Sequence, residues 1–264
     1  MGYFSIRSNS VAAVAAAVFV VAVVQLQTAA FAKDQREFDY FVLALQWPGS
    51  ACKNISYCCQ DNGCCRGSQT PTQFTIHGLW PQYEVKGWPS CCTDESFNEN
   101  EIFVLRKILP EIWPSYRCGS VTSCNNKKGS FWAEEYEKHG TCAAPVIEGQ
   151  YNYFSTAIGL FNTHNVTKAL ENAGIVASDT VKYPLNDVMA AVEFAFGGTP
   201  KIMCGKKGII KELYLCFDKK FKPRNCDETK SCPKKVKLPT IEQLESYMGE
   251  GAIPRMAEIA EAVI

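Results

Sequence analysis

Three short segments of the chain have apolar patterns that predict β-strands: one is a nearly continuous run of aromatic and aliphatic residues, and two alternate between apolar and polar positions. FDYFVLALQW (38–47) has the length of a strand and ends at a Pro-Gly pair, so we expect it to be central and mostly buried. In FTIHGLW (74–80) and KELYLCFD (211–218), apolar and polar residues alternate, which also predicts strands. The second of the three strands carries His77 close to its end.

Helical spacing of apolar residues predicts five helices between and after these strands. The predicted helices are 97–113, 131–141, 151–164, 166–174 and 186–197. The segment 49–72 is rich in Cys, Gly and Asn and is predicted to be a cross-linked loop. Because no repeat or low-complexity linker divides the chain, the pattern predicts a single α+β domain.

The first 32 residues are predicted to be a secretory signal peptide. Arg7 supplies a positive start, residues 11–24 are apolar, and small residues at positions 30 and 32 suit cleavage. The alternative is a membrane anchor, but about 14 strongly apolar residues are fewer than the roughly 20 that span a bilayer. The signal peptide is therefore the preferred interpretation.

The rest of the chain divides into a folded domain, 33–240, and a C-terminal extension, 241–264. The extension contains no cysteine and has an amphipathic pattern. It is either a helix that packs on the domain or a sorting propeptide. No stretch after the signal peptide is apolar enough to cross a membrane, so we expect no membrane partner for the mature protein.

Fourteen cysteines in a chain that enters the secretory pathway predict disulfides. Adjacent cysteine pairs can also indicate zinc, but no histidine follows at ligand spacing, so no metal is predicted. Asn54 and Asn165 begin glycosylation sequons. The 27 basic and 27 acidic residues balance, so any binding of nucleic acid requires a local site.

The segment FWAEEYEKHGTC (131–142) contains candidate chemistry. On a helix, Glu135 lies near Lys138 and His139, and a carboxylate beside an imidazole raises its pKa and orients it for proton transfer. A charged helix surface would have the same pattern by chance. His77 at a strand end supplies a second imidazole, and two imidazoles are the minimum acid–base set for cleaving RNA without a metal.

These residues lie in motifs that resemble a known family. FTIHGLWPQ (74–82) and FWAEEYEKHGTC (131–142) closely resemble the two active-site segments of the T2 family of ribonucleases. FDYFVLALQWPGSAC (38–52) and KYPLNDV (182–188) resemble its plant members, especially the vacuolar S-like ribonucleases. The resemblance extends over about 38–232. It implies the T2 fold, an antiparallel sheet packed with helices and held by disulfides.

The resemblance implies a role for each motif residue. His139 would be the general base and His77 the general acid in the cleavage of single-stranded RNA through a 2′,3′-cyclic phosphate, without a cofactor. Glu135 and Lys138 would stabilise the pentavalent phosphate, with Trp80 beside them. Two further residues, Gln46 and Phe131, would contact a nucleobase; their alternative role is core packing.

The resemblance also implies five disulfides. These are Cys52–Cys58, Cys59–Cys118, Cys92–Cys142, Cys204–Cys232 and Cys216–Cys226. The partners of four further cysteines stay open: Cys64, Cys65, Cys91 and Cys124.

One position departs from the family pattern. Most members have His where this chain has Glu134, and that imidazole normally helps to bind the scissile phosphate. A carboxylate there should repel the phosphate and could pair with Lys138. We therefore expect reduced, acid-favoured activity. His164, the third histidine, is expected at the surface.

The departure keeps a second function open, a ribonuclease-like storage protein with little or no activity. Self-recognition in the style is less favoured, because the recognition proteins are usually basic and this chain is not. We expect a monomer in the vacuole or endoplasmic reticulum, or alternatively outside the cell. The extension 241–264 is the candidate sorting signal.

Overall fold

The computed structural model describes residues 35–53, 55, 58–228 and 232–241. From Glu37 onward these residues belong to one compact unit. The predicted signal peptide, residues 1–32, lies outside the described residues. Of the predicted extension only Ile241 is described, and it packs against the core. The proposed division of the chain therefore stays a prediction.

The described residues form nine strands and six α-helices, joined by short 3₁₀ turns. The strands are β1 Tyr40–Gln46, β2 Thr75–Gln82, β3 Val121–Thr122, β4 Lys128–Gly129, β5 Tyr183–Pro184, β6 Lys201–Cys204, β7 Ile210–Phe217, β8 Pro223–Arg224 and β9 Lys235–Val236. The helices are α1 Pro48–Ala51, α2 Leu109–Ile112, α3 Phe131–Lys138, α4 Gln150–Thr163, α5 Val166–Asn172 and α6 Leu185–Phe196.

The main sheet is antiparallel and has the order β2-β1-β7-β6, with β8 paired to β7. The three predicted strands are the adjacent strands β2, β1 and β7, with ends within two residues of the predicted ones. β1 is buried on both faces because the main core packs on one face and a smaller cluster packs on the other. It lies between β2 and β7 and has no free edge.

The two faces of this sheet have different neighbours. Odd-numbered residues of β1 and β7, such as Leu43 and Leu215, are buried in the main hydrophobic core. Even-numbered residues, such as Val42 and Cys216, pack on the opposite face against Trp80 and Tyr214. Because side chains alternate along a strand, most odd-numbered residues of β1 and β7 pack in the core, whereas most even-numbered residues lie on the opposite face of the sheet.

Four predicted helices are present as α3 to α6, but the long helix predicted over 97–113 is wrong. A 3₁₀ segment, Glu99–Leu105, has a non-helical backbone at Ile102, and α2 is a separate short helix. Pro110 explains the break, since proline cannot donate the helical hydrogen bond and is favoured in a first turn. The buried residues Ile102 and Leu109 still reach the core, as their spacing predicted.

All fourteen cysteines lie in the described residues and form seven disulfides. Four of the five implied pairs are present, namely Cys59–Cys118, Cys92–Cys142, Cys204–Cys232 and Cys216–Cys226. The implied pair Cys52–Cys58 is wrong: Cys52 bonds Cys64 and Cys58 bonds Cys65. The reason is a 3₁₀ turn at Gly63–Cys65, which presents two adjacent cysteines to the preceding segment.

The last pair, Cys91–Cys124, was left open by the sequence. Together with Cys92–Cys142 it fastens the loop before α3 to both ends of the segment that carries the candidate chemistry. The fold is thus the predicted α+β domain, with helices and an antiparallel sheet cross-linked by disulfides. In the part of the chain that the structure describes, no helix is both long enough and apolar enough to span a bilayer.

Candidate active site

A β-bulge in β2 directs His77 into the cleft. Ala44 pairs with Gly78 and Leu45 pairs with Ile76, so His77 is the extra residue and has no partner on β1. Bulges of this kind re-aim a side chain beside an active site. The backbone carbonyl that the bulge leaves without a strand partner accepts a hydrogen bond from Trp113 Nε1, 2.7 Å.

The carboxylate of Glu212 on β7 holds the His77 ring. Nδ1 of His77 lies 2.5 Å from Glu212 Oε1, and the Tyr214 hydroxyl donates to Glu212 Oε2 at 2.7 Å. Burial lowers the pKa of His77, but the hydrogen bond to Glu212 and the charges of Glu135 and Glu212 outweigh burial, and the net pKa is raised above 6.5. His77 therefore holds a proton more readily than an ordinary histidine.

Glu135 lies beneath the His77 ring and is buried. Its Oε2 accepts a hydrogen bond from Trp80 Nε1 at 2.8 Å, and its Oε1 is 3.8 Å from His77 Nε2. Burial raises the pKa of Glu135 to about 7, against the opposing influence of His77 and Trp80. Gly78 permits this arrangement, because a Cβ there would overlap both Glu135 Oε2 and Trp80 Nε1.

His139 terminates α3 and has the opposite environment. Only 6% of the residue is exposed, and its Nδ1 is buried without a hydrogen-bond partner among the described residues. Burial, with the charges of Lys138 and His77, lowers the pKa of His139 to about 3. The expectation that Glu135 raises the pKa of His139 is therefore wrong, since that carboxylate points toward His77 and Trp80.

Both imidazoles pack on one indole and line one cleft. The ring centroid of Trp80 is 5.0 Å from that of His77 and 5.3 Å from that of His139. The cleft has a volume of about 380 Å³ and lies over the face of the sheet opposite the main core. Its lining includes His77, Trp80, Arg117, Glu134, Glu135, Lys138, His139 and Tyr214. The residues of both sequence motifs thus meet at one site.

Glu134 does not pair with Lys138, as the sequence suggested it could. Its Oε2 accepts from Arg117 Nη2 at 2.7 Å. Lys138 lines the cleft and makes no ion pair with any residue in the described ranges. The sequence could not indicate this pair, because Arg117 lies 17 residues before Glu134 and only the tertiary structure brings the two side chains together.

The two predicted base contacts have different positions. Phe131 lines a second cleft with Trp132 and Arg117, and its ring lies 5.6 Å from the His77 ring. Gln46 does not line either of these clefts in the described structure. Its Nε2 instead lies 3.3 Å from the carbonyl of Ile76 and 3.4 Å from that of Pro114.

The remaining sequence candidates lie away from this cleft. His164 is half-buried and packs against Phe196 and Phe217, so it is less exposed than expected. Asn165 is exposed, and its side chain accepts from Lys168 N at the start of α5. Asn54 lies outside the described residues. Within the described residues, no group of three or more His, Cys, Asp or Glu side chains could hold a metal ion.

Sequence reasoning missed three residues of the site: Arg117, Glu212 and Tyr214. Two of them had a signal in the sequence, since the alternation of KELYLCFD places Glu212, Tyr214 and Cys216 on one face of a strand. Arg117 had none, because nothing in its neighbourhood indicates that it reaches a helix later in the chain.

The sequence and the fold were compared with those of known proteins. The sequence profile of the Ribonuclease T2 family matches residues 38–226. Ribonuclease 3 of Arabidopsis thaliana is 34% identical over 206 residues, which cover 76% of this chain and 86% of the relative.

Two solved structures extend the comparison. Trichomaglin, described as a novel S-like ribonuclease, is 53% identical, with a TM-score of 0.75 over 78% of this chain and 100% of its own. RNase NT, solved in complex with 5′-AMP, is 33% identical, with a TM-score of 0.62 over 78% of this chain and 100% of its own.

Proposed function

The chain belongs to the ribonuclease T2 family, and we propose that it cleaves single-stranded RNA by transesterification through a 2′,3′-cyclic phosphate. One observation carries this proposal. Two imidazoles with oppositely shifted pKa values pack on the same indole and line the same cleft. An acid and a base that are ready at one pH are what this reaction requires.

In the first step, neutral His139 takes the proton of a ribose 2′-hydroxyl. The 2′-oxygen attacks the adjacent phosphorus, and the bond from phosphorus to the 5′-oxygen of the next nucleotide breaks. Protonated His77 donates its proton to that 5′-oxygen. The lowered pKa of His139 and the raised pKa of His77 suit these starting states.

In the second step the roles are exchanged. His77, now neutral, takes a proton from a water molecule whose oxygen attacks the cyclic phosphate. The bond from phosphorus to the 2′-oxygen breaks, and His139 returns its proton to that oxygen. The product is a 3′-phosphate, and both histidines regain their starting states.

Three further residues support the two histidines and the phosphate. Lys138 provides a cation at the end of α3, where negative charge grows on the pentavalent phosphate. Glu135 is held by Trp80 and supports the charge on His77, and its raised pKa of about 7 lets it share a proton with the phosphate oxygens. Trp80 forms the wall between the two imidazoles.

Glu212 is a positioning residue for the acid. Its hydrogen bond occupies Nδ1 of His77 and therefore leaves Nε2 to donate to the substrate. Tyr214 holds the second carboxylate oxygen, so that Glu212 keeps one orientation.

Phe131 is the candidate for stacking on a nucleobase, at the second cleft, which adjoins the first through Arg117; its ring is mostly buried in the main core, so only a small part of it could take part. Gln46 is the weaker candidate for a base contact, because backbone carbonyls already engage its amide nitrogen. Stacking without a dedicated hydrogen-bonding partner is consistent with low base preference.

We expect measurable activity at mildly acid pH, reduced by Glu134. Apart from any protonation of Glu134, the low pKa of His139 favours activity at acid pH, because the base stays unprotonated there. An inactive storage protein is not favoured: Ribonuclease 3 and trichomaglin, both similar to this chain, are named ribonucleases, and both imidazoles are present in the cleft.

The location within the secretory pathway is supported by seven disulfides, which persist in oxidising compartments. The vacuole or endoplasmic reticulum, or alternatively the cell exterior, and a monomeric state stay as proposals. Removal of residues 241–264 tests the sorting role. A vacuolar protein should then be mislocated, and an unchanged location would exclude a signal in this segment.

The function is tested by incubating the purified protein with single-stranded RNA at mildly acid pH and measuring cyclic nucleotides. His164→Ala is the matched control, because this histidine lies outside the cleft. We expect cyclic products from the wild type and the control, and a loss of about 10²-fold or more in His77→Ala and His139→Ala. Absence of cyclic products from the wild type would refute the proposed function.

A further inference from the structure

Arg117 and Glu134 form an ion pair, and both residues line the cleft. The Arg117 side chain is 55% exposed and that of Glu134 is 14% exposed. Such a pair adds little to stability. Its position in the cleft that both imidazoles line indicates a functional role instead.

The backbone at Arg117 is fixed in place. The next residue, Cys118, is bonded to Cys59, and the Ser115 hydroxyl donates to the Arg117 carbonyl at 2.9 Å. The guanidinium carbon lies 5.7 Å from the centroid of the Phe131 ring, which itself lies 5.6 Å from the His77 ring. One aromatic ring thus links the guanidinium to the candidate acid.

The charge of the cleft depends on this side chain. Apart from the histidines, the lining contains three cations and three carboxylates, namely Arg117, Lys138 and Lys201, and Glu134, Glu135 and Asp227. Without Arg117, Glu134 would be left as an unpaired carboxylate in the cleft that a phosphodiester must enter.

We propose that Arg117 is a phosphate-binding residue of this cleft and that Glu134 holds its guanidinium there. A guanidinium has five N–H donors in a planar fork, so the bond from Nη2 to Glu134 leaves other donors for phosphate oxygens. Glu134 then acts as a positioning residue, and its cost to phosphate binding is largely offset by the cation it holds. This inference rests on the proposed function and names a further substrate contact.

The test measures calorimetric binding of 5′-AMP and of adenosine, which differ only in the phosphate, to the full-length protein. We expect Arg117→Ala to weaken the binding of 5′-AMP about tenfold and to leave that of adenosine unchanged. Glu134→Gln should tighten 5′-AMP binding a few-fold, because it removes a negative charge while its amide oxygen can still accept from Arg117.

The double variant separates direct contact from mere neutralisation. If Arg117 binds phosphate, Arg117→Ala combined with Glu134→Gln still binds 5′-AMP several-fold more weakly than Glu134→Gln alone. Equal affinity of these two variants would overturn the proposal, since Arg117 would then only cancel the charge of Glu134. Equal affinity of the wild type for 5′-AMP and adenosine would also overturn it.

Arg106→Ala is the matched control, because Arg106 forms a similar exposed pair with Glu99 outside the cleft. We expect it to leave both affinities unchanged and both arginine variants to keep the wild-type melting temperature within a few degrees. Binding is independent of cleavage. Phosphate affinity that depends on Arg117 in a protein that cleaves no RNA would refute the proposed function and support this inference.

Discussion

His77 and His139 are the same side chain in two contrasting surroundings. His77 lies between two carboxylates, has a hydrogen bond at Nδ1 and has a raised pKa. His139 is buried at the end of α3, has no hydrogen-bond partner at Nδ1 in the described structure, and has a pKa lowered to about 3. In the proposed mechanism this contrast lets one residue type serve as both the acid and the base, because the neighbours of each imidazole set its proton affinity.

The largest effect should come from removing either imidazole, and the choice of substrate then separates their roles. His77→Ala and His139→Ala should each lower cleavage of RNA by about 10²- to 10⁴-fold. With uridine 3′-(4-nitrophenyl phosphate), the leaving group needs no proton, so His77→Ala should recover most of its activity. His139→Ala should not recover, because the base is still required.

That comparison is read from initial rates of the two variants on both substrates, with His164→Ala as reference. Recovery of His139→Ala instead of His77→Ala would exchange the proposed roles. Recovery of both would show that neither ring acts as the base.

The next effect should come from Glu212→Gln, which removes a carboxylate from only one of the two imidazoles. Since Glu212 raises the pKa of His77, its loss should lower that pKa and move the alkaline limb of the kcat profile to lower pH. The acid limb, set by His139, should stay in place. We also expect kcat to fall about tenfold, a part of what a positioned acid contributes.

A profile of kcat against pH, recorded for Glu212→Gln and wild type, checks this shift. A purely structural role for Glu212 would lower the rate equally at every pH and leave both limbs unmoved.

A smaller effect should follow Gly78→Ala, which displaces the Glu135 and Trp80 side chains that contact His77. The added Cβ would overlap Glu135 Oε2 and Trp80 Nε1, so the two groups must move apart. We expect a loss of stability of about 1–3 kcal/mol and a several-fold fall in kcat. Urea unfolding and initial rates measure both.

Gly159→Ala is the control for this substitution, because nothing lies within 4 Å of a Cβ at that position in α4. Alanine there should stabilise the helix by about 0.5–1 kcal/mol without changing the rate. If Gly78→Ala were equally harmless, the close approach of Glu135 and Trp80 would not matter.

The smallest effect should come from Tyr214→Phe. The lost hydrogen bond contributes about 0.5–1 kcal/mol to the orientation of Glu212, so kcat should fall about two- to fivefold. The acid limb should again be unchanged. A fall as large as that of Glu212→Gln would instead assign the tyrosine a direct part in the chemistry.

Local periodicity predicted the elements that carry the site, but it could not predict contacts between distant segments. The strands around His77 and Glu212 were recognised because alternation is a property of neighbouring residues. The pair Arg117–Glu134 depends on how separate segments pack. For the same reason the family resemblance implied the wrong partner, Cys58, for Cys52, because the 3₁₀ turn that brings Cys64 to it is a feature of the folded loop.

The proton affinities were beyond the sequence for a related physical reason. The position of Glu135 four residues before His139 predicted a carboxylate beside that ring. In the folded protein Glu135 turns to Trp80 and His77, and burial then determines the pKa of His139. Motifs can identify the reacting groups, whereas only tertiary structure decides which group is near which charge.

The central claim is most directly tested by titrating the three imidazoles of the intact protein with nitrogen NMR, each assigned from its His→Ala variant. The account predicts that His77 releases its proton above pH 6.5 and that His139 stays neutral down to well below that value, toward about 3. A His139 ring that titrates at or above 6.5, or a His77 ring that titrates below it, would contradict the assignment of base and acid.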